Sequence, residues 1–159
     1  MTVVAPHLGH AAFDAEHDDL AELVGAVLAT AADDRARTAE LFARLRSLAV
    51  EHLLHEEEAM RRTGFPEEDA HRQEHLRLTE VLDAVAARHR AGWSAIDTVS
   101  GVMQAWVTEH IATYDRRLVA WLRHSDAAAA GTAPEGGAAP PEDARPTGRS
   151  ERSSPPRTT

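Results

Sequence analysis

The chain has 159 residues, with 17 Lys+Arg against 26 Asp+Glu, ten histidines and no cysteine. That length suits one compact domain. The lack of cysteine excludes disulfides, thiolate zinc sites, iron–sulfur clusters and cysteine nucleophiles, so any metal must be held by nitrogen and oxygen ligands. The net charge of -9, with Arg as every basic residue, argues against a nucleic-acid partner. No apolar run reaches the roughly 18 residues that a membrane span needs. Met1-Thr2-Val3-Val4-Ala5-Pro6-His7 has no basic region leading into an apolar run, so a cytoplasmic protein is expected.

In chain order, Asp14 is expected to cap a first helix on which Leu20, Leu23, Val24, Val27 and Leu28 recur at helical spacing. Ala31-Ala32-Asp33-Asp34 closes it, with Asp33 or Asp34 capping the next. The second helix is predicted from about Arg35 to Thr63, carrying Leu41, Leu45, Leu48, His52, Glu56 and Met60 near one face. It ends at Gly64-Phe65-Pro66, where glycine suits a left-handed terminal position and proline cannot continue the helix. Pro66 then suits the first turn of a third helix, with Glu67-Glu68-Asp69 favouring its N-terminus. This helix carries Leu78, Val81, Leu82 and Val85 and runs to about Arg90.

Ala91-Gly92-Trp93-Ser94 reads as a turn and Ser94 with Asp97 as a capping box. The fourth helix is expected from about Ala95 to His124. Residues 126–159 hold no Val, Ile, Leu, Met or aromatic residue, so they are expected to form a disordered tail, available to contact an unknown protein partner. The reading is all-α: an up-down-up-down antiparallel four-helix bundle over residues 1–125, followed by that tail over 126–159.

Histidines dominate the candidate chemistry. Residues i and i+4 share a helix face, which makes His52 with Glu56, and His71 with His75, two pairs able to clamp a metal. His17 on the first helix and His110 on the fourth can lie at similar depth in an antiparallel bundle. Asp115 follows His110 by five residues, a spacing that leaves the shared face of a regular helix, and periodicity prefers Tyr114. His7, His10, His89 and His124 read as surface or core filler, His55 as surface or outer support, and Glu57 and Glu58 as part of a solvated acidic face. Met60 and Trp121 read as core, and Tyr114 as packing rather than a redox tyrosine.

Several segments in order resemble the hemerythrin family, and within it the bacterial single-domain hemerythrin-like proteins. Asp14-Ala15-Glu16-His17 resembles a D-x-x-H motif, and His52-Leu53-Leu54-His55-Glu56-Glu57-Glu58-Ala59-Met60 resembles H-F-x-x-E-E-x-x-M. Gly64-Phe65-Pro66 matches G-[YF]-P, and His71-Arg72-Gln73-Glu74-His75 matches H-x-x-x-H. The stretch from Trp106 to Asp115 matches W-x-x-x-H-I-x-x-x-D.

The resemblance implies two iron ions, oxo- or hydroxo-bridged. His71, His75 and His110 would bind one, His17 and His52 the other, and Glu56 and Asp115 would bridge them. Of about twelve positions on two octahedral irons, about one then stays open, on the iron with two histidines. The expected partner is O2, bound reversibly by a protein that is not an enzyme, beside apolar walls from Leu53, Trp106, Val107 and Ile111. The alternatives are a di-iron redox enzyme acting on peroxide or nitric oxide, or an O2- or redox-sensing interaction module. The chain departs from the family in having Leu53 where Phe is common, which is expected to ease water entry and so speed autoxidation of the oxy form. It also lacks the Trp that many relatives carry before the first helix.

Overall fold

Three α-helices, α1 (Ala11–Ala29), α2 (Arg35–Thr63) and α3 (Glu68–Arg90), are followed by a π-helical segment, Trp106–Asp115, that runs directly into α4 (Arg116–Ala129). The computed structural model describes residues 3–30, 34–92, 101, 106–129 and 131. The expected capping box at Ser94 and Asp97, the start of the fourth helix near Ala95 and the tail beyond 131 lie outside the described residues. Among the described residues there is no strand. No described helix is long and apolar enough to cross a membrane.

The helices pair in chain order. α1 packs on α2, α2 on α3, the π segment on α3, and α4 on α2. Bonds between them fix antiparallel directions: Arg46 with Asp83 joins α2 to α3, as does Arg35 with the His89 carbonyl, while Arg117 with Glu67 ties α4 to the start of α3. The result is the expected all-α four-helix bundle.

Local chemistry explains most boundaries. The Asp34 carboxylate accepts the Arg37 N–H at 3.0 Å and starts α2. Gly64, at φ 64°, ends it in the left-handed conformation that glycine adopts without strain. Two boundaries differ from the sequence expectation. α1 begins before Asp14, with the Phe13 N–H donating to the His10 ring. Asp14 instead turns back to accept the N–H groups of Leu8 at 2.7 Å and Gly9 at 2.8 Å, anchoring the incoming chain rather than capping the helix. α3 begins at Glu68 rather than at Pro66, because the Glu68 N–H closes a turn onto the Phe65 carbonyl at 3.2 Å and Phe65 is buried.

The larger difference is the π segment, where a regular helix was expected. A π turn bonds residue i to i+5, so residues five apart stack above one another, as residues four apart do on an α-helix. His110 and Asp115 therefore share a face, as do Trp106 and Ile111.

The apolar core is divided. One cluster gathers Leu20, Val24, Val27, Leu41, Leu45, Leu82 and Val85 with Leu53, Trp106 and Ile111. The other gathers Phe13, Ala59, Met60, Phe65, Leu118, Val119 and Leu122. Between them, α1, α2, α3 and the π segment contribute polar side chains to one buried layer.

Candidate metal centre

That layer is built from the seven residues singled out in the sequence. His17 comes from α1, His52 and Glu56 from α2, His71 and His75 from α3, and His110 and Asp115 from the π segment. Their exposures run from 0% for His17, His52, Glu56, His71 and Asp115 to 6% for His110. They form two groups whose donor atoms lie within 4.8 Å of one another: Glu56, His71, His75 and His110, and His17, His52, Glu56 and Asp115.

Each carboxylate divides its oxygens between the groups. Glu56 Oε2 lies 3.2 Å from His75 Nε2 and 3.4 Å from His71 Nε2, while Oε1 faces His52 Nε2 at 3.8 Å. Asp115 Oδ1 lies 3.1 Å from His71 Nε2 and 3.0 Å from His110 Nε2, while Oδ2 faces His17 Nε2 at 3.2 Å. The oxygens turned toward His17 and His52, Glu56 Oε1 and Asp115 Oδ2, have no hydrogen-bond partner among the described residues. His17 Nε2 and His52 Nε2 face each other at 3.2 Å.

A family model decides what this arrangement belongs to: the hemerythrin HHE cation binding domain matches residues 8–122. The chain belongs to the hemerythrin HHE family. No curated protein matches it.

The donor set of this hemerythrin domain fits a pair of cations. His52 Nδ1–H donates to Glu16 Oε2 at 2.8 Å and His75 Nδ1–H to Glu57 Oε1 at 3.2 Å. A neutral ring that donates at Nδ1 presents a lone pair at Nε2. His52 then aims a lone pair at the His17 nitrogen and His75 aims one at the Glu56 carboxylate, contacts that a cation, or a hydrogen held between the two atoms, satisfies. Burial opposes charging of His71, but its contacts with Asp115 and Glu56 and their negative charge outweigh it and push the ring up to about 9. Burial likewise opposes ionisation of Asp115, yet the nearby nitrogens of His110, His17 and His71 hold its carboxyl well below the usual range. Glu56 is buried beside the Asp115 charge, and both effects raise it. The contacts of His71 and His75 still hold it below the ordinary value.

Leu53, Trp106 and Ile111 are buried in one apolar cluster, with the Trp106 ring 6.2 Å from His52 and 6.4 Å from His110. The side chain of Val107 lies outside the described residues. Tyr114 is half-buried and stacks on His110 at 5.4 Å, a packing role as expected. His7 pairs with Asp18, His55 is exposed, and His89 is buried with Nε2 donating to the Arg35 carbonyl at 3.2 Å.

Sequence reasoning passed over Glu16, and it read Glu57 as part of a solvated face. The signals available were position, since Glu16 directly precedes His17 and Glu57 directly follows Glu56, and for Glu57 its match to the second glutamate of the H-F-x-x-E-E-x-x-M motif. Phe13 was also missed; its ring meets the edge of His52 at 6.1 Å.

Proposed function

We propose that the chain holds two iron ions in this layer and binds O2 reversibly at one of them. The carrying observation is the division of oxygens: Glu56 and Asp115 each offer one oxygen to the group of His17 and His52, and the other to the group of His71, His75 and His110. Two carboxylates that each face two histidine groups have the geometry of bridges between two cations. Nitrogen and oxygen donors with this preponderance of imidazole suit iron.

Bound iron would supply the electrons that reduce O2 on binding and recover them on release. The residues of the chain do the rest. The five histidines would hold the ions through Nε2, Glu56 and Asp115 would be shared between them, and Leu53, Trp106 and Ile111 would keep bulk water from the group with only two histidines. A dry apolar shell protects a reducible metal.

Iron quantitation combined with a visible spectrum under air, after dithionite, and again under air tests the proposal. About two irons per chain with a band that disappears and returns is the expected result. One zinc ion, or no metal, would overturn it.

A second reading, a di-iron redox enzyme acting on peroxide or nitric oxide, is favoured by one observation. A cavity of about 290 Å³ lined by His110, Trp106, Tyr114, Leu78, Glu74 and Arg77, among others, reaches the His110 side of the layer. Sustained consumption of either substrate, ending in the oxidised state, would select it over a carrier.

A further inference from the structure

Two carboxylates stand just outside the seven, one beside each group. Glu16 leaves α1 next to His17 and reaches α2, where Oε2 accepts from His52 Nδ1–H at 2.8 Å and Oε1 from His55 Nδ1–H at 2.6 Å. Glu57 leaves α2 next to Glu56 and reaches α3, where Oε1 accepts from His75 Nδ1–H at 3.2 Å and Oε2 lies 3.2 Å from Arg72 Nε. The plan is the same on both sides. One oxygen takes a buried ring, and the other takes a nitrogen on the exposed surface, His55 or Arg72. Each outer nitrogen pins its carboxylate, so the inner oxygen holds a fixed direction.

His17 and His71 differ. Their Nδ1 atoms are buried with no hydrogen-bond partner among the described residues. These rings make their polar contacts through Nε2 alone.

We propose that Glu16 and Glu57 are positioning residues, one for each half of the centre, which fix the tautomer of His52 and His75 and raise the donor strength of each Nε2 toward its metal. The inference rests on the proposed metal centre. A carboxylate that accepts from Nδ1–H keeps the proton on that nitrogen, freeing Nε2 as the ligand. Its charge also makes the ring more basic. Half-buried carboxylates serve here better than solvated ones, because the interaction is less screened.

Glu16→Gln and Glu57→Gln keep the size and an accepting oxygen but remove the charge. Anaerobic Co(II) titration of the full chain, followed by cobalt absorption, reads the two ions separately. In wild type two equivalents bind. In Glu16→Gln the equivalent held by His17 and His52 is expected to weaken by about 10–100-fold with the other unchanged, and in Glu57→Gln the reverse.

A second readout needs no redox chemistry. In the zinc-loaded protein, the Nδ1–H proton of His52 moves upfield in Glu16→Gln while that of His75 stays, and the pattern inverts in Glu57→Gln. A carboxylate that only props the helices would leave both resonances in place. Circular dichroism checks that each variant folds, and either variant alone carries the test for its own half. Wild-type binding with affinities and resonances unchanged in the folded variants overturns this inference alone. A wild-type chain that takes up neither Co(II) nor Zn(II) overturns the metal centre, and this inference with it.

Discussion

The apolar ends of the bundle and its polar middle are made from the same four helices under opposite demands. At the ends, Leu20, Leu45, Met60 and Leu118 are fully buried, and each contributes about 1.5–3 kcal/mol simply by leaving water. In the middle, seven ionisable side chains occupy an equally buried layer, where burial counts against them unless charges are matched. The ends therefore fold the chain, and the middle is tolerable because the ends hold it and because cations, or failing them protons, neutralise it. Stability and function are separable here to an extent that a mixed core would not allow.

Breaking the middle at a shared ligand gives the largest expected effect. Glu56 faces both histidine groups, so Glu56→Ala is expected to lose both metals while the helices persist, read by metal analysis and circular dichroism. Next is removal of metal from the wild type. Ions bound only by the folded state stabilise it by about 4 kcal/mol each at 1,000 times Kd, so chelation should lower Tm substantially without loss of helicity at room temperature. Leu45→Ala strikes an end instead, two helical turns from His52. It should cost about 3 kcal/mol in denaturant unfolding, and by the same amount within about 0.5 kcal/mol with or without metal, because the two regions add independently.

A smaller effect separates the regions by pH. In the metal-free protein the His71 ring sits near 9 rather than at its ordinary 6.5. A folded value raised above the unfolded one gives stability that is complete below 6.5 and lost as pH rises through 9. Thermal melts of metal-free protein should therefore fall across that window, and the trend should disappear once metal occupies Nε2. Smallest is Leu53→Phe, a change where the apolar wall meets the polar layer. It is expected to slow oxidation of the reduced centre by a few-fold, about what a drier shell provides, followed optically in air. An unchanged rate removes Leu53 from the account.

Much of this architecture is legible in the sequence because its signals are local. The span of α2 follows from Asp34 at one end and Gly64 at the other, and the pairs His52 with Glu56 and His71 with His75 follow from helical spacing alone. Asp14 misleads because the same carboxylate that caps helices also anchors loops, and the sequence does not say which N–H groups approach it. Pro66 suits a first helical turn, yet burial of Phe65 keeps it in the connection. Asp115 was recruited only through resemblance to the hemerythrin family, since spacing counted against it. The reason lies in the backbone, as a π turn carries no sequence signature comparable to a cap. Glu16 and Glu57 stayed unread because an acid on a helix flank is ordinarily solvated, and only the crossing partner on the next helix gives it a task.

The π segment also bears on how fast the centre exchanges its ions. It carries His110 for one group and Asp115, which faces both, so neither of the two proposed ions would be fully released while this stretch stays closed. The ligands are too deeply buried for a chelator to reach, and local opening precedes exchange. Stripping should therefore speed up with chelator concentration only to a ceiling set by the opening rate of the segment. Amide hydrogen exchange between Trp106 and Asp115 should report that same rate.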